Sequence, residues 1–247
     1  MDIIRLETVD STNTYAKRLA KEGAPHGTVI LADHQTGGRG RMGRSFSSLK
    51  GLGIYCSVIL RPEAEPSQLL HLTPMMAEAA RRAVLEATGL SAQIKWVNDL
   101  VINGRKLCGI LTEMGLNGTK TDFVVVGVGI NCNQKKEDFP EELQEIATSL
   151  SMELGKEIDR ETVINALLRQ IQIAFDCLLT PQDWMEAYRQ NCITLGKEVQ
   201  IIRGEEIRQG FAEDMDDTGA LLIRLADGSL EKVDSGEVSV RGLYGYL

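Results

Sequence analysis

The stretch "QIKWVNDLVINGRKLCGILTEMG", residues 93–115, is followed after a short polar break by "DFVVVGVGINCN", residues 122–133. Its reading decides the architecture. Val, Ile and Leu recur in short runs bounded by Asn and Gly, which is strand patterning. Asn103–Gly104, followed by Arg105, fits a tight hairpin turn, because Asn and Gly accept positive φ. Three successive strands are predicted, and strands joined by hairpins pair antiparallel.

Working outward, "TPMMAEAARRAVLEATG" (73–89) predicts a helix. Thr73 can cap it, Pro74 suits the first turn, Met76, Ala80, Ala83 and Ala87 form an apolar stripe, and Gly89 stops it. "STNTYAKRLAKEG" (11–23) predicts a shorter helix capped by Ser11 or Thr12 and stopped by Gly23. "TVILADHQ" (28–35) and "GIYCSVIL" (53–60) read as strands. Residues 160–179 and 181–192 read as helices parted by Thr180 and Pro181. Beyond Gly196 come short strands, "KEVQIIR", "EEIRQGFAEDM", "GALLIRL" and "LEKVDSGEVSV", separated by "DDTG" and "DG". Such spacing predicts a small β-barrel of about 50 residues. The expected fold class is α+β: a main domain over 1–195 with a mixed sheet and helices, then a C-terminal barrel over 196–247.

Composition excludes several functions. With 43% hydrophobic and 25% charged residues, the chain of 247 residues is ordinary globular material. A formal charge of -8 argues against general nucleic-acid binding. Five cysteines without a CxxC and three scattered histidines lack metal-ligand spacing, so no metal site is expected. The start "MDIIRLET" has no cationic end followed by an apolar core. The longest apolar run, "FVVVGVGI", is far short of the ~20 residues of a membrane helix. A reduced, cytoplasmic protein without membrane attachment is expected.

One loop departs from the acidic balance. "HQTGGRGRMGRSFSS" (34–48) holds three arginines and four glycines, and no carboxylate stands between Asp33 and Glu63. Glycine lets backbone N–H groups approach a ligand, and arginine forks pair with carboxylate or phosphate. "GRGRMG" matches GxGxxG, but a strand-like segment follows where a dinucleotide site or a P-loop needs a helix. A kinase loop would require HRD and DFG stretches, which are missing. The loop reads as an anion clamp, with a solvated RGR-type surface loop as the bland alternative.

Together, "DSTNTYAK", "GRGRMGR", "KWVNDLVINGRKLCGIL" and "VVVGVGINCN" resemble the biotin protein ligases, and the C-terminal segment resembles that family's SH3-like domain. The resemblance covers essentially the whole chain. The chain starts directly at the ligase segment, without the winged helix-turn-helix of the family's larger members, so no DNA role is expected. The resemblance implies that biotin's carboxylate attacks the α-phosphate of MgATP. A lysine of a biotin carboxyl carrier domain then takes the biotinyl group from biotinyl-5′-AMP. No enzyme nucleophile is needed, and an Arg, Lys and Gly site suits that chemistry.

Residue roles follow from the same resemblance. It places Ser11, Thr12, Asn13, Gln35, Gly38, Arg39, Gly40, Arg41, Lys106 and Gly109 around biotin. It places Arg39, Arg41, Phe46, Asn98, Lys106 and Asn131 around the nucleotide. Lys106 would bridge carboxylate and α-phosphate, Arg41 would contact both anions, and Asp99 would serve magnesium or the acceptor lysine. Locally, Ser11–Asn13 could equally be a plain helix cap, and Lys106 a solvated lysine. Trp96 reads as packing. Two positions depart from the family: Val97 stands where proline is frequent, and Phe46 stands where a tryptophan stacks on adenine. The family also implies a homodimer through a sheet edge. Rival functions are a lipoate or octanoate ligase, a biotin sensor without transfer, and an RNA-binding module. Residues 37–48 are expected to be mobile without ligand, because four glycines raise backbone entropy and three arginines repel one another.

Overall fold

The computed structural model describes residues 1–234 and 239–242. A mixed seven-stranded sheet carries the main part. Its strands are β1 (Ile3–Val9), β2 (Val29–Gln35), β3 (Gly53–Leu60), β4 (Gln93–Lys95), β5 (Asp99–Ile102), β6 (Arg105–Asn117) and β7 (Lys120–Asn131). They run in the order β1-β2-β3-β7-β6-β5-β4. Only the β1–β2 pair is parallel. The helices are α1 (Thr12–Lys21), α2 (Leu72–Thr88), α3 (Leu150–Leu154), α4 (Arg160–Asp176) and α5 (Gln182–Asn191). Among the described residues, a second, antiparallel sheet holds β8 (Lys197–Arg203), β9 (Glu206–Met215), β10 (Leu221–Leu225), β11 (Leu230–Val233) and β12 (Ser239–Gly242). The α+β class with a small C-terminal β-unit is therefore observed. Residues 235–238 of the expected strand "LEKVDSGEVSV" lie outside the described residues. No helix among the described residues is long and apolar enough to cross a membrane.

Alternation along β7 organises everything else. Val124, Val126, Val128 and Ile130 face one side and join the core formed with α2, α4 and α5. Phe123, Val125, Gly127, Gly129 and Asn131 face the other. There Phe123 and Val125 pack with Ala16 and Ala20 of α1. Helix α1 thus covers one end of this face, and the glycines leave the rest as a floor.

Two expectations need correction. The predicted strand from Gln93 is two strands, β4 and β5, separated at Trp96–Asn98, where the Trp96–Val97 peptide is cis. The chain doubles back there, so Lys95 pairs with Asp99. Helix α2 begins at Leu72, with Thr73 inside it. The Thr73 hydroxyl is turned to Thr112 rather than capping. Elsewhere the turn chemistry holds. Ser11 caps α1, its Oγ accepting from Thr14 N–H at 3.5 Å. Asn103 and Gly104 have φ of 49° and 76°, the positive pair of a hairpin turn.

Trp96 joins the two sheets. It is buried, and its indole N–H donates to the Gly219 carbonyl at 2.8 Å. Arg189 of α5 adds a donor to the Met215 carbonyl at 2.9 Å and ion pairs to Asp214 and Asp217.

Candidate active site

Cross-strand register builds the floor in rows. Tyr55, Gly129 and Gly109 form one row, continuing to Asp99, while Ser57, Gly127 and Leu111 form the next. The glycines are bare because side chains from other elements lie on them. A Cβ on Gly129 would stand 2.7 Å from the Phe46 ring, and one on Gly127 would stand 2.0 Å from Asn13 Oδ1. Above this floor is a cavity of about 710 Å³, ample for a small organic acid with a nucleotide.

One end of the cavity is a buried polar socket. Thr12 donates from its backbone N–H and its hydroxyl to Gln35 Oε1, at 2.8 and 3.0 Å. Gln35 Nε2 donates to Ser48 Oγ at 2.8 Å. Ser57 is fully buried, with Oγ 2.6 Å from Asn13 Oδ1 and 2.9 Å from Thr12 Oγ1. A hydroxyl has one proton, and the shorter distance gives it to Asn13. Asn13 Nδ2 donates to the Leu111 carbonyl (3.2 Å) and to Glu113 (3.0 Å). The Asn13 amide is thereby oriented at both ends. It shapes the socket, and Ser11, Thr12 and Gln35 present their polar atoms beside it.

Glu113 carries an electrostatic load. Burial alone would raise its carboxyl, but hydrogen bonds from Lys17 and Asn13, with the charges of Lys17 and Arg39, hold it below the usual range. A depressed folded-state value stabilises the fold above the unfolded-state value and loses that contribution as pH falls through the folded one. Thermal melts should therefore show stability lost below about pH 4.5, with a shallower acid limb in Glu113→Gln. Identical limbs would remove Glu113 as the cause.

The other end is cationic. The Lys106 ammonium lies 2.7 Å from Asp99 Oδ1. Arg41 Nη1 donates to Asn98 Oδ1 at 3.2 Å. Asn98 is fixed in turn by its Nδ2 donating to the Ile110 carbonyl at 2.7 Å. Burial lowers the Arg41 guanidinium from its ordinary value, and the nearby Asp99 charge opposes that shift. Burial pushes the Cys56 thiol at the cavity wall up to about 12, so it is no nucleophile at neutral pH. Among the described residues, no three His, Cys, Asp or Glu groups converge to hold a metal.

The arginine stretch makes more contacts than its composition suggests. Phe46 N–H donates to the Gly38 carbonyl at 2.9 Å, and Gly40 N–H to the Arg44 carbonyl at 2.7 Å. Arg39 bridges Ser45, so the stretch is a miniature hairpin turning at Met42 and Gly43, which have φ of 56° and 73°. The three arginines are not left only to repel one another: Arg39 pairs with Glu113 at 3.3 Å. These carboxylate and amide partners come from β6 and from residue 98, far away in sequence.

The cavity brings together Ser11, Thr12, Asn13 and Gln35 at one end. Arg39, Gly40, Arg41 and Phe46 stand on the hairpin, Asn98 in the turn between β4 and β5, and Asp99, Lys106, Gly109 and Asn131 along the strands. Gly38 does not line it. That residue sits behind the wall, where a Cβ would meet the Phe46 carbonyl at 2.4 Å. Asn131 has a structural share: its Nδ2 donates to the Thr148 carbonyl at 2.9 Å. Sequence reading missed Ser48, Ser57 and Glu113, and it missed the apolar wall of Phe139, Leu143, Ile146 and Ala147. A lone serine in the otherwise apolar "GIYCSVIL" was the available signal for Ser57.

Residues 6–131 match the model of the biotin/lipoate A/B protein ligase family. The chain belongs to that family. Residues 194–241 match the biotin protein ligase C-terminal domain. The bifunctional ligase/repressor BirA of Bacillus subtilis is 37% identical, over 96% of this chain and 74% of its own length. The biotin–[acetyl-CoA-carboxylase] ligase of Mycobacterium tuberculosis is 34% identical, over 92% of this chain and 85% of its own. The structure of biotin protein ligase from Aquifex aeolicus in complex with biotin and ATP aligns with a TM-score of 0.83 and 31% identity. That alignment covers 98% of this chain and 99% of the other. A ligase fold of this family therefore surrounds the cavity.

Proposed function

We propose that the protein is an ATP-dependent biotin protein ligase. It forms biotinyl-5′-AMP and transfers the biotinyl group to a lysine of a biotin carboxyl carrier domain. The carrying observation is the division of one cavity into an uncharged polar socket and a cationic end. A neutral ring with a carboxylate tail fits that division. The match of 194–241 to the biotin-specific C-terminal domain favours biotin over lipoate.

The residue roles follow. Ser11, Thr12 and Gln35 hold the polar ring. Biotin's carboxylate oxygen attacks the α-phosphorus of MgATP, the bond to the β-phosphate oxygen breaks, and pyrophosphate leaves. Lys106 and Arg41 face the charge that builds on the phosphorus and its oxygens. These cations are already oriented by Asp99 and Asn98, so little reorganisation accompanies the reaction. Asp99 would be the carboxylate to hold an Mg²⁺ carried by the nucleotide, and that ion would neutralise phosphate charge. Phe46 stands between the two ends on the bare floor of Gly109 and Gly129. In the second step the carrier lysine's amine attacks the acyl carbon and AMP leaves. The chemistry is assigned to residues 1–195, with 196–247 closing one side through Gln200, Val240 and Gly242.

The test is to incubate the protein with biotin, MgATP and a purified carrier domain and to weigh the carrier. One added biotinyl group is expected, and none with lipoate in its place. An unchanged carrier mass with biotin would overturn the reading.

Two expectations attach to the hairpin. Arg41→Gly should weaken biotin binding and let biotinyl-AMP escape, because a charge-assisted bond worth about 1.5–3 kcal/mol is lost. Labelling of bystander lysines by the variant checks this; labelling no stronger than wild type refutes it. Amides of 37–48 should exchange faster without biotin than with it, since the hairpin's few backbone bonds are easily opened. Equal, strong protection in both states would show a hairpin that is closed throughout.

A further inference from the structure

Glu113 stands behind the socket rather than in it. It belongs to the third row of the floor, beside Val125 and Ile59. A carboxylate there needs partners, and it collects three from two separate pieces of chain. Asn13 and Lys17 are four residues apart on α1 and so share one helix face. Asn13 Nδ2 donates at 3.0 Å and Lys17 Nζ at 2.5 Å. The third partner is Arg39 on the arm of the hairpin, in an ion pair at 3.3 Å. The same carboxylate therefore touches the residue that orients the socket and the residue that anchors the clamp.

We infer that Glu113 is a positioning residue that couples the arginine hairpin to the ring socket through Asn13 and Arg39, linking ring occupancy to hairpin closure. This rests on the biotin reading. A ring in the socket fixes Thr12 and, as the next residue of α1, Asn13. Asn13 holds one oxygen of Glu113, and the carboxylate then faces Arg39 in one orientation. Coupling of this kind is reciprocal: a closed hairpin also favours the ring-ready socket. The base of the hairpin has its own tie, Gln35 to Ser48 to the Phe46 carbonyl. Glu113 supplies the tie at the arm.

The test is a double-mutant cycle on the full chain with Glu113→Gln, Arg39→Gln and the double variant. Biotin affinity is read by calorimetry, and the escape rate of preformed biotinyl-AMP by rapid filtration. Each single variant should weaken biotin and speed escape by about tenfold. The double variant should be no worse than the poorer single, because both changes break one link. Lys17→Met serves as the comparison: it removes a Glu113 partner without touching the hairpin. It should lower the melting temperature and leave the escape rate at the wild-type value. Multiplying effects in the double variant, wild-type escape in Glu113→Gln, or escape in Lys17→Met as fast as in Glu113→Gln would overturn the coupling. If Glu113→Gln does not fold, amide exchange at residues 11–15 in biotin-bound Arg39→Gln carries the test. Faster exchange than in wild type is expected, and unchanged exchange refutes the proposal. A wild-type protein that does not bind biotin would defeat the functional reading itself, a separate result from an uncoupled Glu113.

Discussion

Replacing Lys106 with alanine is expected to cut pyrophosphate release from biotin and MgATP by more than about tenfold, with the fold intact. The Lys106 side chain is only partly buried and its partner is Asp99, so its removal empties no core. Its ammonium stands on the same floor as Gly109, where a Cβ would lie 3.4 Å from Nζ. Two anions brought to that end of the cavity repel each other, and a cation between them lowers the barrier more than it tightens either ground state. The loss should therefore fall mainly on kcat, with a smaller change in biotin KM. Pyrophosphate release at the wild-type rate would defeat the assignment. A variant that failed to melt cooperatively would place Lys106 in the structure instead of the chemistry.

Gly127→Ala is expected to be nearly as damaging, and by a different route. The added Cβ would lie 2.0 Å from Asn13 Oδ1 and 2.7 Å from its Cγ, with the amide held at both ends. Either the strand or Asn13 must move. Overpacking of this kind costs about 1–3 kcal/mol, and moving Asn13 breaks its bonds to Ser57 and Glu113. Biotin affinity should fall by about tenfold or more, since each 1.4 kcal/mol is a factor of ten. Calorimetry with biotin, beside a thermal melt, separates the binding loss from general destabilisation. Gly118→Ala is the fitting control, because that glycine lies at a hairpin tip with open space around it. Its φ of 61° still strains an alanine, so it reports backbone cost without socket damage. Wild-type affinity in Gly127→Ala would show that the socket does not depend on Asn13.

Local rules made much of the fold legible. Strands β2, β3, β6 and β7 and the larger helices follow from runs and stripes that local propensity and core burial both favour. Strand β1 escaped because "IIRLETV" is mostly exposed, so its alternation pointed to no core. The doubling-back at Trp96–Asn98 escaped because no Gly or Pro marks it. In the site, the loop arginines stood out as a charge anomaly in an acidic chain. Glu113, Ser57 and the wall from Phe139 to Ala147 did not, because their roles exist only through contacts distant in sequence. The arginine loop misled for the same reason. Its lack of nearby carboxylates is real, yet Glu113 reaches it from the middle of the sheet. Asn13 and Asn131 fit a ligand site by motif, but much of their hydrogen bonding goes to the protein.

The Trp96 indole bond to Gly219 bears on how such chains can be recombined. Trp96 precedes Asn98 and Asp99 by two and three residues, and those two orient Arg41 and Lys106. The C-terminal sheet thus clasps the segment that sets the clamp, and it supplies the indole's acceptor. Trading that sheet for one from a relative would transplant a hinge-pin as well as a wall. A chimera should work where the donor sheet offers a carbonyl at the same place. Where it does not, the change would be felt first at the arginine and lysine, although neither residue had been exchanged.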